Sequence, residues 1–463
     1  MLKLFNTYSN SLEEFKPIEE NKIKMYVCGP TVYDKAHLGH ARCYITWDVL
    51  YRYLKFLGYD VTYARNVTDV DDKILKKADI KGVSPDDIAK EFYISFTNSM
   101  TALNVLKPDI EPFATKTLSE MISMVKELIS KGYAYVADDD VYFEVSKFKN
   151  YGKLSKQPID DLMAGARVET DTKKRSPLDF ALWKKDEIHG YNCPWNKGRP
   201  GWHIECSAMI RKHLGKTIDI HAGGQDLQFP HHENEIAQSE CSNGVKFVNY
   251  WLHNGFVTIN KEKMSKSLNN FLTIDDLLKT HNSNTIRFFI LTNHYRMPVE
   301  FNDEALNSAK SGAMRLINSI AKVEEFTDEL DEDEINEFKS AMNDDMNTSK
   351  ALAVLFSLVN KYKTSTDIKY ANTIKLLGEV LGFDFSKKEI STEDLKQKIL
   401  PLYEKFEFDK QTPPDVVLDK IIEQRNLARK EKDWAKSDLI RDELLKLKIT
   451  IKDSKEKTVW EVQ

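Results

Sequence analysis

The chain has 463 residues, 41% hydrophobic and 30% charged, too long for one core and long enough for roughly two to four domains. A net charge of -5 excludes global attraction to nucleic acid but leaves room for a local basic face. A mean hydropathy of -0.49 and the lack of a long apolar run speak against a membrane span.

Five cysteines, an odd count spread over the chain, fit a reducing compartment and not a disulfide framework. No secretory signal is expected at residues 1–6, so the expected location is the cytoplasm. In chain order, 23–28 reads as a strand, 37–58 as a helix and 61–67 as a second strand. Strand, helix, strand predicts a parallel sheet, with an antiparallel α+β domain as the competing reading. From 112 to 199 the pattern loosens into an insertion, with a hairpin strand at 141–145 and the basic run Lys173-Lys174-Arg175. A second α/β half follows: a strand at 217–221, a tight loop at 222–224, Pro230 opening a helix, and a strand segment over 251–259. Charged amphipathic helices are expected at 306–326, 334–348 and 350–362. The last block predicts helices at 416–432 and 435–448 and short strands at 450–452 and 458–460.

Two sets of residues carry chemistry. Cys28, Cys206, His231 and Glu235 are ligand types that zinc accepts, and His231 and Glu235 are four apart on a predicted helix. They are far apart in sequence, so spacing alone is a weak signal, and His232 competes with His231. A zinc ion there would bind a thiolate far better than a hydroxyl, which selects a thiol substrate without editing. The second set, His37-Leu38-Gly39-His40, opens a helix after a strand, where free N–H groups and the helix dipole suit phosphate. Two imidazoles there can stabilise charge on a reacting phosphate. Lys263-Met264-Ser265-Lys266-Ser267 reads either as a solvated loop or as a closing loop that brings Lys266 to developing charge. No P-loop and no Gly-x-Gly-x-x-Gly pattern competes.

His37–His40 and Lys263–Ser267 resemble the HIGH and KMSKS motifs of class I aminoacyl-tRNA synthetases. Cys-Gly-Pro-Thr-Val-Tyr-Asp at 28–34, Gly-Arg-Pro-Gly-Trp-His-Ile-Glu-Cys at 198–206 and Phe-Pro-His-His-Glu-Asn-Glu at 229–235 narrow the resemblance to the cysteinyl-tRNA synthetases. It continues through 341–348 and 428–434 and spans essentially the whole chain. The resemblance implies a Rossmann-like parallel-sheet catalytic domain (1–111 and 200–301) split by a connective insertion (112–199). A helical domain (302–405) and a small α+β anticodon-binding domain (406–463) would follow.

It also implies Cys28, Cys206, His231 and Glu235 as ligands of one Zn2+, and Gly29, Thr68, Trp202 and His221 as the cysteine pocket. Thr31, His37, Gly39, His40, Asp226 and Lys266 would bind ATP with Mg2+ on its phosphates, and His37, His40, Lys263 and Lys266 would be catalytic. Arg429, Trp434 and Asp438 would face the tRNA(Cys) anticodon, with stacking by Trp434 set against its burial in a core. Gln225 departs from the family pattern without touching these roles. The implied activity is ligation of L-cysteine to tRNA(Cys) by a monomer. The rival readings are a ligase of cysteine to an amino-sugar acceptor and a non-catalytic RNA-binding paralogue.

Overall fold

Four strands form the sheet that carries the chemistry, in the spatial order Val248–Asn254, Ile218–Gly224, Lys22–Val27, Asp60–Arg65, all parallel. The two central strands are buried along most of their length, as expected where helices cover both faces of a sheet, although Lys22, Lys24, Asp219 and His221 interrupt their apolar residues. Helix Leu38–Phe56 makes the crossover between the first pair, and helix Glu233–Asn243 the crossover within the second. From the two central strands the chain steps outward on opposite sides. A crevice therefore opens at their carboxyl ends, which is where doubly wound sheets bind ligands. This is the expected Rossmann-like architecture. The computed structural model describes residues 1–156, 173–259, 262–263, 271–386, 392–453 and 458–462.

Several expectations shift in detail; the helices expected at 306–326 and 334–348 end at Ser319 and Asn343. The strand expected at 217–221 runs on through the predicted loop to Gly224, because Gly223 and Gly224 keep their pairing with His253 and Asn254. The single strand expected at 251–259 is two, Val248–Asn254 and Val257–Ile259. His231 lies in the turn Gln228–His232 just ahead of helix Glu233–Asn243, yet still reaches Glu235.

By contacts the chain divides into two compact units, Met1–Ala313 with Glu325–Asp384, and Met314–Glu324 with Phe385–Gln463. In the first unit, strands Ala134–Ala137, Asp140–Phe143, Phe180–Lys185, Tyr191–Asn192 and Lys197–Pro200 form an antiparallel sheet. Helix Leu118–Ser130 shares one core with the catalytic sheet: Met121, Met124 and Leu128 cluster with Cys28, Cys206 and Met209. Helices Glu332–Asn343, Thr348–Ser365 and Ile368–Val380 pack together in the same unit.

The second unit contains helices Pro414–Lys430 and Trp434–Lys446 and a hairpin of Ile449–Asp453 with Thr458–Val462. Its core is built from Ile399, Leu402, Val417, Leu418, Ile421, Ile440 and Leu444. Pro414 sits at the first helical turn, where its missing N–H costs nothing. Among the described residues no helix is long and apolar enough to cross a membrane.

Candidate active site

Cys28 follows directly on strand Lys22–Val27, at the crevice, and its N–H donates to Ala222 O across the switch point at 3.2 Å. Cys206 comes from helix Ile204–His213, and Glu235 from the first turn of helix Glu233–Asn243. The ligand atoms converge: Cys28 Sγ lies 3.9 Å from Cys206 Sγ and 3.6 Å from Glu235 Oε1, and Cys206 Sγ lies 3.7 Å from His231 Nε2. His231 Nε2 is 3.1 Å from Glu235 Oε1. All four residues are buried. A tetrahedron of metal bonds about 2.0–2.3 Å long has edges of roughly 3.3–3.8 Å, so donor chemistry and spacing both fit a zinc ion. A second group of four, Cys28, His221, His232 and Glu235, is also close enough to hold a metal, with His232 Nε2 3.3 Å from Cys28 Sγ. It contains one thiol where the first contains two.

The cluster is electrostatically tense. Burial drives the Cys28 thiol well up, and its hydrogen bond with Cys206 adds to the rise. That same bond, helped by His231, brings Cys206 down to about 6 against its burial. Burial opposes a charged His231, but Glu235 and Cys206 raise it to about 10. Glu235 is also penalised by burial, yet His221 and His231 hold it at about 2.

Further histidines surround this set. His203 Nδ1 lies 2.9 Å from His231 Nδ1, and His232 Nδ1 lies 2.8 Å from His253 Nε2. Burial keeps His203, His232 and His253 neutral, His253 down to about 3. Trp202, 42% exposed, stacks on His231 with ring centroids 4.2 Å apart.

At the other end of the crevice His37 is the N-cap of helix Leu38–Phe56. His37 and His40 close a reciprocal cap: each backbone N–H donates to the other ring's Nδ1, at 3.1 and 3.4 Å, and the rings stack at 3.8 Å. The cap fixes both Nδ1 atoms as acceptors, so each neutral ring carries its proton on Nε2. One cleft of about 360 Å³ joins the two ends. Its lining includes Cys28, Gly29, Thr31, His37, Gly39, His40, Trp202 and Asp226. Gly29 is forced: a Cβ there would lie 1.5 Å from Asn66 O, and its N–H donates to Asn66 Oδ1 at 2.7 Å.

Two expected pocket residues stand behind the lining. Thr68 is buried and donates to Glu205 Oε2 at 2.6 Å, and His221 contacts Glu235 Oε2 at 2.9 Å. Lys266 lies outside the described residues, as does the side chain of Lys263, whose backbone pairs with Thr258. In the second unit Trp434 opens its helix 58% exposed, Asp438 pairs with Arg441 at 3.3 Å, and Arg429 is tied to Asp453 at 2.6 Å.

Sequence reasoning missed Asn66, His203, His253 and the cleft wall at Asn254, Gly255, Phe256 and Val257. For Asn66 and Asn254 a signal existed, since both fall at the carboxyl end of a parallel strand. For His203 and His253 no local signal exists.

Residues 14–311 match the family model described as the tRNA synthetases class I (C) catalytic domain. Residues 337–386 match the DALR domain, and 416–460 the cysteinyl-tRNA ligase anticodon binding domain. The cysteine–tRNA ligase of Chromobacterium violaceum is 47% identical over 466 residues, covering 99% of each chain. That of Thermodesulfovibrio yellowstonii is 44% identical over 497 residues, covering 100% of each. A methionyl-tRNA synthetase of Mycobacterium tuberculosis, solved with methionyl-adenylate, superposes with a TM-score of 0.56 at 16% identity over 78% of this chain and 89% of that one, a likeness of fold. Full-length identity of this order, with all three family models matched in order along the chain, makes the protein a member of the class I aminoacyl-tRNA synthetases, in the cysteine–tRNA ligase family.

Proposed function

We propose that the protein activates L-cysteine with ATP and transfers it to the 3′ end of tRNA(Cys). One observation carries this reading: Cys28, one donor of a buried two-thiol cluster, and a helix-start histidine pair line the same cleft. Cys28, Cys206, His231 and Glu235 are proposed to hold one Zn2+, whose chemistry when bound is to prefer a thiolate ligand to a hydroxyl. His203, accepting from His231 Nδ1, would then fix the ring for binding through Nε2. Trp202 and Gly29 would flank the bound amino acid, with Thr68 and His221 supporting from behind.

His37, Gly39 and His40 are assigned to the ATP phosphates, with Thr31 and Asp226 on the nucleotide and Mg2+ accompanying the phosphates. The carboxylate of cysteine attacks the α-phosphate, the bond to pyrophosphate breaks, and the Nε2–H groups of His37 and His40 donate to the charge that develops. Lys263 and Lys266 are proposed to meet the departing pyrophosphate. A ribose hydroxyl of the tRNA then attacks the adenylate carbonyl, releasing AMP, and no protein nucleophile takes part. Arg429, Trp434 and Asp438 are proposed to read the anticodon. We place the protein in the cytoplasm as a monomer.

The match of residues 416–460 to an anticodon binding domain favours tRNA over an amino-sugar acceptor. The intact donor and histidine sets favour an enzyme over a non-catalytic RNA-binding paralogue. The test is charging of total tRNA with labelled cysteine beside labelled serine. Acid-precipitable cysteine without serine supports the reading. Cysteine-dependent pyrophosphate exchange without charging would mean that the acceptor is a small amine.

A further inference from the structure

The stretch Met342-Asn343-Asp344-Asp345-Met346-Asn347 has no role in the chemistry above, yet its geometry is unusual. Asp345 and Met346, between helices Glu332–Asn343 and Thr348–Ser365, both sit in the left-handed region, with φ of 55° and 54°. Asp tolerates that region and Met resists it, so the turn is held open by its surroundings.

What holds it is the buried Asp345 carboxylate. Oδ1 accepts from Phe5 N–H and from Tyr295 O–H, both at 2.8 Å, and Oδ2 accepts from Arg296 Nε at 2.7 Å. His294 Nε2 lies 3.5 Å away, and Asp345 N–H donates to Lys3 O at 3.1 Å. One side chain thus ties together the N-terminal strand and the 294–297 segment.

Both of these segments lean on the strand that leads into the cleft. Thr7 N–H donates to Trp251 O at 2.9 Å, Trp251 N–H donates to Asn6 Oδ1 at 3.1 Å, and Thr7 Oγ1 lies 2.8 Å from His253 Nδ1. Gly255 N–H donates to Tyr295 O at 2.8 Å, and a Cβ on Gly255 would lie 2.6 Å from Met297 O. From the opposite side Arg42, two residues after His40, donates to the carbonyls of Ile290, His294, Tyr295 and Met297 at 2.7 to 3.2 Å. The Tyr295 ring meets Trp47 of the same helix edge-on, 5.5 Å between centroids. The 294–297 segment is therefore a wedge. One face contacts the helix that begins with the two histidines, another contacts the cleft wall at Gly255, and Asp345 pins its outer end.

We infer that Asp345 is a positioning residue for amino-acid activation: through Tyr295 and Arg296 it sets the spacing between the cleft wall at 254–257 and the His37–His40 turn. It touches no reacting group. The inference rests on the activation reading and adds to it a connection between the helices after residue 331 and the nucleotide side of the cleft. Packed segments shift as units, and an error of about 1 Å in a reacting geometry costs on the order of a hundredfold in rate.

The experiment is ATP–pyrophosphate exchange with Asp345→Asn and Asp345→Ala, with metal content and cooperative unfolding measured on the same preparations. Asn keeps the tolerance for the left-handed region and one carbonyl oxygen, but loses the charge that Arg296 and Tyr295 share. The expected result is a fall in kcat/KM for ATP of roughly 10- to 100-fold. KM for cysteine and metal content should stay near wild type, and Asn should do better than Ala. Constants unchanged per folded molecule would overturn the inference. ATP and cysteine constants worsening together, in step with the folded fraction, would reduce Asp345 to a structural part and also overturn it. A wild type without cysteine-dependent exchange would remove the activation reading and the inference with it, whereas an active wild type with indifferent variants removes the inference alone.

Discussion

The two ends of the cleft are built on opposite plans. At the sulfur end, four residues from a strand end, a turn and two helices meet in a buried cluster, with further histidines behind them. At the phosphate end, two histidines three apart meet through their own backbone, half-buried at the start of one helix. The first plan suits discrimination, since water is excluded and a ligand is judged by bond chemistry. The second suits a reaction that spreads charge over oxygen atoms, since helix-start N–H groups and ring donors are already aimed before substrate arrives.

Removing one ligand should do more than removing one donor. Cys206→Ser should lose the metal and lower cysteine-dependent pyrophosphate exchange by more than about a hundredfold, because loss of a ligand exceeds the 10- to 100-fold typical of its supporting residues. Elemental analysis beside the exchange assay checks this, and a zinc-free variant of full activity would end the thiol-selection account. His40→Ala should slow exchange by about a hundredfold, the usual cost of one preorganised donor. KM for cysteine should stay within about twofold, since the group acts in the transition state. If KM for cysteine rose as steeply as kcat fell, the two ends would not be separable.

The same difference governs what the sequence could reveal. His37-Leu38-Gly39-His40 is local, and its position after an apolar strand is legible without coordinates. The strands of the sheet were legible too, from apolar residues alternating with polar ones over 22–25 and 218–221. The sulfur end was not legible from spacing: positions 28, 206, 231 and 235 become neighbours only when the sheet brings residues 28 and 222 together. Only the resemblance to a family chose His231 over His232, and the structure contains a group of four around each. The loop expected at 222–224 is strand instead, because Gly223 and Gly224 continue a ladder whose partners are His253 and Asn254. Asp345 was invisible as a hub, since its partners Phe5 and Tyr295 are 340 and 50 residues away.

Trp202 probes the border between the two plans, because it stacks on His231 and also lines the cleft. An aromatic pair of this kind contributes about 0.5–1.5 kcal/mol beyond its buried area. Trp202→Ala should therefore raise KM for cysteine by roughly 2- to 10-fold with metal retained. A change confined to KM for ATP would assign the indole to the other end.

The smallest effect is the most specific to the sulfur end, and it concerns chelator-treated protein. His231 is raised from 6.5 to about 10, so the folded state keeps a proton that the unfolded state loses, and stability should fall as pH rises above 6.5. Cys206 is lowered from 9.0 to about 6, so the folded state has already lost a proton that the unfolded state keeps up to 9.0, and stability should rise over that range. Between 6.5 and 9.0 the slopes from His231 and Cys206 oppose each other. Below 6.5 the neutral His203, His232 and His253 bind protons only when unfolded, which lowers stability there. Glu235, held at about 2 against 4.5 when unfolded, adds to the decline below 4.5. Above 9.0 the Cys28 thiol, raised by burial, retains its proton only in the folded state, and stability falls again. Cys206→Ser removes the compensating slope while Glu235 still faces His231. The melting temperature of the variant, followed against pH beside wild type, should fall more steeply than that of wild type between 6.5 and 9.0, by at most about 1.4 kcal/mol per pH unit, or a few degrees. Parallel curves for the two proteins would mean that the His231 proton is not held by this cluster. The sulfur end would then lack the thiolate–imidazolium pair that sets it apart from the histidines at the other end.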